Sequence, residues 1–409
     1  MSKVRSNGEG TIYKRKNGGW CAELTIGKNP LNGRLIRKSF YGKTQKEVKE
    51  KLKLAKEKLD NGILSEPITL TLKEWLGIWL TKYKKDKRRK RTFENYEYLI
   101  RIHINPHLGN IQLDKLSTEA VQDFYDMLLS KGRYDGKGGL SQKTVRNIHN
   151  LLHCALEKAV ETRKIIFNAT KATELPAREH KEIEVLTKED ELIFLKAASK
   201  DRLGIAFIVS LATGLRVGEL LALRWQDLDL DKSILNVKQS LGRVKTFDES
   251  LPTKSKLVFG EPKTKAGKRI IPLPQNVVSL LRQHRKNQVE EILRFGTDFN
   301  KENLIFCSQS GTPIDPKNFD RKFKNILKNA GLKKINLHIL RHTFATRLLE
   351  LNEHPKVVQE ILGHSNISIT LDTYSHVLPE IKHNAAQKID HLFASIDTNI
   401  IKESCSLYT

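Results

Sequence analysis

Apolar residues set at two different periods divide this chain. From residue 72 the spacing is helical: Leu72, Trp75, Leu76 and Trp79 recur every three or four positions, the period of one buried helix face. Residues 92–102 read as a second helix, and 103–109, with Pro106 and Gly109, as a break. Residues 117–129 make a third helix. Residues 141–161 make a fourth, on Val145, Ile148, Leu152, Leu156 and Val160, after a loop at 132–139. Upstream the period is two. Stretches near 10–16, 20–26 and 35–40 alternate as strands, separated by Asn17-Gly18-Gly19 and by turn residues at 28–33. Residues 44–59 follow as a helix, with Val48, Leu52 and Ala55 on one side and a capping box from Thr44 and Glu47.

Beyond residue 185 the pattern is mixed. Thr187 is placed to cap a helix, and 205–212 is an apolar run suited to a buried one. Residues 233–241 read as a strand, 256–259 as a short strand, and 261–274 as a strand pair turning at Ala266-Gly267. Helices are expected at 277–293, from Pro316 onward, at 337–350 with Leu340, Phe344, Leu348 and Leu349 inward, and at 381–393. Leu362, Ile367, Ile369 and Leu371 suggest a further packed segment. The fold class is therefore multidomain α+β. A small three-stranded sheet with a helix (1–62) precedes an all-helical domain (69–170), a mixed, mainly helical domain (185–393) and a tail (394–409). Asn61-Gly62 and Pro67 mark the first boundary, and the polar stretch 169–185 reads as a linker.

Charge narrows the partner. With 72 Lys+Arg against 47 Asp+Glu, the formal net charge is +25, which calls for a polyanion. Residues 1–62 alone carry 16 basic and 6 acidic residues. Residues 82–91 hold eight basic residues and one acid, a run too charged for a core and suited to phosphates. A membrane is disfavoured because no apolar run reaches spanning length and the first residues lack a signal-peptide core. Cys21, Cys154, Cys307 and Cys405 lie far apart with no C-x-x-C, as expected of a reducing cytoplasm and of neither a zinc site nor a disulfide frame. No P-loop pattern supports ATP hydrolysis.

The candidate chemistry gathers near the carboxyl end. His338 and Arg341, three apart on one helix, can address one ligand, and His364 and Tyr374 follow. Each alone is also consistent with a histidine-rich core edged by a tyrosine. Upstream, Arg216 stands between Gly214 and Gly218 beside the apolar run, a costly place for a charge without a partner. Glu219 can orient it, and a purely structural Arg216–Glu219 pair fits the same spacing. Lysines at 263, 265 and 268 sit on the expected hairpin. His342 and His376 read as structural.

These segments resemble the tyrosine recombinases, the phage-integrase family, over essentially the whole chain. A-T-G-L-R-V-G-E-L holds Arg216, H-I-L-R-H-T-F-A-T holds His338 and Arg341, L-G-H-S holds His364, and Tyr374 falls at the nucleophile position. Lys263 is the better match to the family's hairpin lysine and Lys265 the weaker. The resemblance implies six catalytic residues, Arg216, Lys263, His338, Arg341, His364 and Tyr374, supported by Glu219. It implies a 3′-phosphotyrosyl intermediate formed without cofactor, metal or ATP. It also implies a tetramer on double-stranded DNA with crossover core sites and distal arm sites, an accessory DNA-bending or excision factor, and a cytoplasmic, nucleoid-associated location in a bacterial host. Residues 1–62 would be the arm-binding module and 69–170 the SAM-like core-binding domain. The expected DNA contacts are Lys14, Arg15, Lys16, Arg37, Lys38, Lys84, Lys85, Arg88, Arg89, Lys90, Arg91, Lys143, Arg146 and Lys265. The helix at 381–393 would dock on its own protomer or on a neighbour. The arm module favours the integrase of a phage or conjugative transposon. A chromosome-dimer recombinase and a type IB topoisomerase are the alternatives within the chemistry. A catalytically dead regulator and a basic RNA-binding protein are the alternatives outside it.

Overall fold

The computed structural model describes residues 10–16, 18–28, 35–60, 70–85, 90–177, 184–246, 255–262, 264–373, 386–387 and 389–390. Contacts divide the chain into two units, residues 1–180 and 181–409.

The first unit holds two separate cores. In the amino-terminal one, β1 (Thr11–Lys14), β2 (Trp20–Lys28) and β3 (Leu35–Gly42) form an antiparallel sheet in that order. Helix α1 (Gln45–Asp60) covers one face, and Ala22, Leu24, Val48, Leu52 and Ala55 are buried between them. The expected capping box is half formed. Thr44 accepts from the Glu47 N–H, but the Glu47 carboxylate turns to the Lys43 N–H at 3.0 Å.

The second core is all helical. It contains α2 (Leu72–Ile78), α3 (Lys90–Leu99), α4 (Asn105–Leu108), α5 (Thr118–Lys131) and α6 (Gln142–Glu161). Trp75 and Trp79 are buried, and the Trp75 indole donates to the Ala155 carbonyl at 2.9 Å. The expected break at 103–109 comes only at its end: the helix continues through Pro106 and stops at Leu108, with Gly109 as its C-cap. A π turn at Ile100–Ile104 joins α3 to α4, with the Asn105 N–H donating to Ile100 O. Such a turn relocates one backbone bond and lets the helix carry Pro106. The linker also starts later than residue 169. Ala169 and Thr170 are buried, the Asn168 amide bridges His153 O and Glu157, and the Glu174 N–H donates to Gln122.

The second unit is mixed. Its helices are α7 (Lys188–Ala198), α8 (Gly204–Thr213) and α9 (Val217–Leu220), then α10 (Gln275–Phe295) and α11 (Pro316–Asn329). Helices α12 (Ile339–Glu350), α13 (Pro355–Leu362) and α14 (Ile367–Thr373) complete it. Thr187 caps α7, accepting from the Asp190 N–H at 3.1 Å. The strands are β4 (Leu228–Asp229), β5 (Ile234–Val237), β6 (Ser240–Lys245), β7 (Ser255–Gly260) and β8 (Arg269–Pro272). They make two sheets, β4-β5-β8 and β6-β7.

Three expectations are corrected by this arrangement. Residues 233–241 are two strands in different sheets. Residues 261–274 are not a strand pair: a short 3-10 turn at Lys265–Gly267 leads into β8, which pairs with β5. Apolar alternation marks a strand but not its partner. Third, Ile369 and Leu371 are exposed on α14 at 44% and 40%, so only Leu362 of the expected packed set is fully buried. The helix expected at 381–393 lies largely outside the described residues.

Replacing Trp75 by Ala should destabilise the helical module by about 3–5 kcal/mol, the usual cost of emptying a buried tryptophan site. Amide hydrogen exchange checks this: protection should fall across 70–177 and hold across 184–373.

Candidate functional site

Helix α8 ends at Gly214, whose φ of 61° is left-handed. A Cβ there would sit 2.4 Å from the Phe344 ring and 2.8 Å from Leu362, so both the conformation and the close approach require glycine. The chain thus turns sharply into Arg216. The Arg216 N–H donates to Glu219 Oε2 at 3.1 Å, and its guanidinium reaches Oε1 at 2.8 Å. The pair anticipated from the spacing is present.

Glu219 has a second cation. Arg269, on β8, donates to Glu219 Oε2 at 3.0 Å. Burial pushes the Glu219 carboxyl up, but the Arg269 and Arg216 charges outweigh it and hold the group below the usual carboxylate range. The carboxylate is therefore ionised and shared. Arg269 is a member of the site that the sequence motifs do not single out. It follows the lysine-bearing segment in sequence, but its place depends on β8 pairing with β5.

His338 occupies the position just before α12, without a side-chain capping bond, and Arg341 lies in the first turn, 2% exposed. Arg341 donates to Gly214 O at 2.7 Å and Leu362 O at 2.8 Å. Helix α13 ends at Gly363, also left-handed at φ 66°. Arg216 donates to Gly363 O at 3.2 Å, and Arg269 Nε donates to Ile361 O. Three arginines from three elements therefore bind the consecutive carbonyls of Ile361, Leu362 and Gly363. These are last-turn oxygens without helical partners, at the negative end of the helix dipole.

His364 follows directly. Its Nδ1 shares a hydrogen bond with the buried Thr370 hydroxyl at 2.9 Å, and its carbonyl accepts from the Gln359 amide at 3.0 Å. Burial, then the charges of Arg341, Arg216 and Arg269, push the His364 pKa down to about 3. Burial, then His342, Arg341 and Arg216, push His338 down to about 4. The His338 ring also meets His342 edge-on, with centroids 4.7 Å apart. Both histidines are thus neutral near pH 7, in a field that favours an anion. Arg216, with 35% of its side chain exposed, is the accessible arginine of the three; Arg269 is 7% exposed.

The structure therefore brings Arg216, Glu219, His338, Arg341 and His364 together. Lys263 and Tyr374 lie outside the described residues, as do Arg88 and Arg89. Lys265 stands on the short 3-10 turn that leads into β8. Among the other basic candidates, Arg15 lies over the Tyr41 ring at 4.9 Å, and Arg37 is paired with Glu23 at 3.7 Å. Register sets Lys38 opposite Leu24 and Lys14 opposite Trp20. Those two lysines therefore emerge on the α1 side of the sheet, while Arg37 is on the open face. Lys16, Lys85, Lys90, Arg91 and Lys143 are exposed, and Lys84 stacks on the Trp79 ring at 4.8 Å. Arg146 is committed elsewhere: its fork donates to the Pro176 carbonyl.

Two arginines and two neutral histidines gathered at the end of α13 make a positive field suited to an anion. Residues 179–380 match the family model "Phage integrase family", and residues 71–129 match "Phage integrase, N-terminal SAM-like domain". A "Tyrosine recombinase XerC-like" protein of Caldanaerobacter subterraneus is 34% identical, over 90% of this chain and 95% of its own length. The "ICEBs1 integrase" of Bacillus subtilis is 25% identical, over 93% of this chain and all of its own. Among solved structures, the Tn1549 transposon integrase with transposon right end DNA has a TM-score of 0.62 at 25% identity, covering 75% of this chain and 95% of that one. A lambda integrase dimer bound to a core site has a TM-score of 0.54 at 19% identity, covering 91% and 96%. This chain belongs to the phage integrase family, the tyrosine recombinases. No helix among its described residues is long and apolar enough to cross a membrane.

The histidine shifts set a pH dependence. Both folded-state values lie below the ordinary value of about 6.5, so the native state resists protonation. Their contribution is fully present above pH ~6.5 and is lost as pH falls toward ~4 for His338 and ~3 for His364. Titration by NMR should find both rings neutral at pH 6. Adding a phosphodiester-bearing DNA should raise both values, because an anion offsets the arginine charge.

Proposed function

We propose that this protein is a site-specific DNA recombinase that integrates and excises a mobile element through a 3′-phosphotyrosyl intermediate. One observation carries the reading: Arg216, Arg341, His338 and His364 converge on one point, and α14 runs from there to the residue before Tyr374.

The chemistry follows from those groups. A phosphodiester in its pentavalent transition state spreads charge over the non-bridging oxygens, and two guanidiniums match that charge with forked, charge-assisted bonds. Their carbonyl partners hold them in place before the charge develops. Tyr374 attacks phosphorus through its phenolic oxygen. Phosphorus keeps the 3′ side of the DNA, and the 5′ oxygen leaves with a proton from Lys263. His338 assists proton transfer, and His364 hydrogen-bonds the phosphate. Attack by the partner strand's 5′-hydroxyl reverses the step. The bond energy is kept in the covalent link, so neither ATP nor a metal is required.

In the domain plan that goes with this, 1–62 binds distal arm sites and 69–170 and 185–393 clamp the crossover site. The assembly is a tetramer aided by a DNA-bending or excision factor, in the bacterial cytoplasm at the nucleoid. Lambda integrase has been captured as a tetramer on a Holliday junction. A chromosome-dimer recombinase is the second reading. A relative named XerC-like spans 90% of this chain, so its length alone does not set that reading aside.

A suicide DNA duplex carrying the crossover site should give an SDS-resistant adduct with the unchanged protein and none with Tyr374→Phe. Arg341→Lys should slow adduct formation by about 10²–10³-fold, as loss of a transition-state donor does. Equal trapping by Tyr374→Phe would overturn the nucleophile assignment.

Arg15→Ala combined with Arg37→Ala should weaken binding to distal repeats. The salt slope should fall by roughly two, because each arginine that no longer neutralises a phosphate lowers it by about one. Core-site cleavage should stay unchanged. Distal binding that survives both changes overturns the role of these two arginines, and no distal binding by the unchanged protein argues for the chromosome-dimer reading.

A further inference from the structure

Arg269 is the third guanidinium at the end of α13, and the proposed strand-transfer chemistry does not use it. Its side chain is 7% exposed, against 35% for Arg216, so it is not presented to a ligand as Arg216 is. Each edge of its fork has an acceptor: Glu219 Oε2 at 3.0 Å, Gly267 O at 3.2 Å and Ile361 O. Glu219 in turn binds both the backbone and the guanidinium of Arg216. Gly363 packs over the group so closely that a Cβ would lie 3.0 Å from Arg269 Nη1 and 2.7 Å from Ala266 O.

From this geometry we infer that Arg269 is a positioning residue for strand transfer, acting through Glu219 to hold Arg216 in line with the phosphate. A carboxylate with only Arg216 as partner could swing with that half-exposed side chain. A carboxylate also clamped by a buried fork cannot, because Arg269 is itself fixed to two backbone carbonyls. The restraint passes from the α13 carbonyl to Arg269, to Glu219 and so to Arg216. It also joins β8 to the turn that leads into His364. An ammonium in place of the fork satisfies Glu219 but not three acceptors in one plane.

This inference rests on the strand-transfer reading, and the test separates the two. Full-length protein, Arg269→Met and Arg269→Lys are compared on suicide substrates with a normal scissile phosphodiester or a methylphosphonate. The methylphosphonate replaces one non-bridging oxygen by methyl and removes the charge that Arg216 would meet. Adduct formation on the phosphodiester should slow by about 10–100-fold for Arg269→Met, the range expected from misplacing a catalytic group by an ångström. Arg269→Lys should fall between Arg269→Met and the unchanged protein. DNA affinity by gel shift should not change. On the methylphosphonate most of the deficit should disappear.

An equal deficit on both substrates, or none on the phosphodiester, overturns the role of Arg269 and leaves strand transfer standing. No adduct from the unchanged protein overturns both. If Arg269→Met does not fold, Arg269→Lys decides by the same substrate comparison.

Discussion

Three consecutive carbonyls at the end of one short helix hold this site together. Ile361, Leu362 and Gly363 present their oxygens where α13 runs out of internal donors, and Arg269, Arg341 and Arg216 each take one. Cations belong at that end of a helix dipole. The three arginines arrive from β8, from the first turn of α12 and from the turn before α9. One backbone feature therefore fixes three segments remote in sequence. The left-handed glycines make it possible. Gly363 ends α13 tightly enough to leave its carbonyls accessible to the arginines. Gly214 ends α8 tightly enough for its own carbonyl to accept from Arg341.

The same arrangement concentrates positive charge. Three guanidiniums and two imidazoles share the space, and among the described residues Glu219 is the one carboxylate bonded between them. Its burial would ordinarily favour protonation, yet Arg269 and Arg216 keep it ionised. The histidines answer the excess in the opposite way, by staying neutral. A polar network of this kind is rigid, because the three arginines and Glu219 have partners before any ligand arrives. Rigid donors around an unneutralised field are what electrostatic stabilisation of a developing anion requires.

Much of this is legible in the sequence wherever the chemistry is local. Helical periods mark the all-helical module, two-residue alternation marks the amino-terminal sheet, and the i, i+3 spacings of Arg216–Glu219 and His338–Arg341 mark two pairs that the fold keeps close. What stays hidden depends on pairing at a distance. Arg269 reaches Ile361 across 92 residues because β8 runs beside β5, and nothing in the local pattern distinguishes that from a hairpin. Arg146 reads as one more basic residue on a helix. It is a structural group because residues 168–176 fold back onto α6. The π turn before Pro106 escapes the pattern for a related reason: proline signals a break, but a neighbouring shift in hydrogen bonding can absorb it.

The two arginines carried over from the family pattern are not equivalent here. Arg341 is almost wholly buried and spans Gly214 O and Leu362 O, so it joins α12 to the ends of α8 and α13. Removing it would take apart the framework and the charge together. Arg216 is one-third exposed, and its position depends on Glu219 and a single carbonyl at 3.2 Å. Its charge faces the solvent side of the site, and its order is supplied from behind. The site thus separates two demands that one buried arginine could not meet together: a cation accessible to a ligand, and a cation that does not move. Arg216 meets the first, and the buried Glu219–Arg269 pair supplies the second.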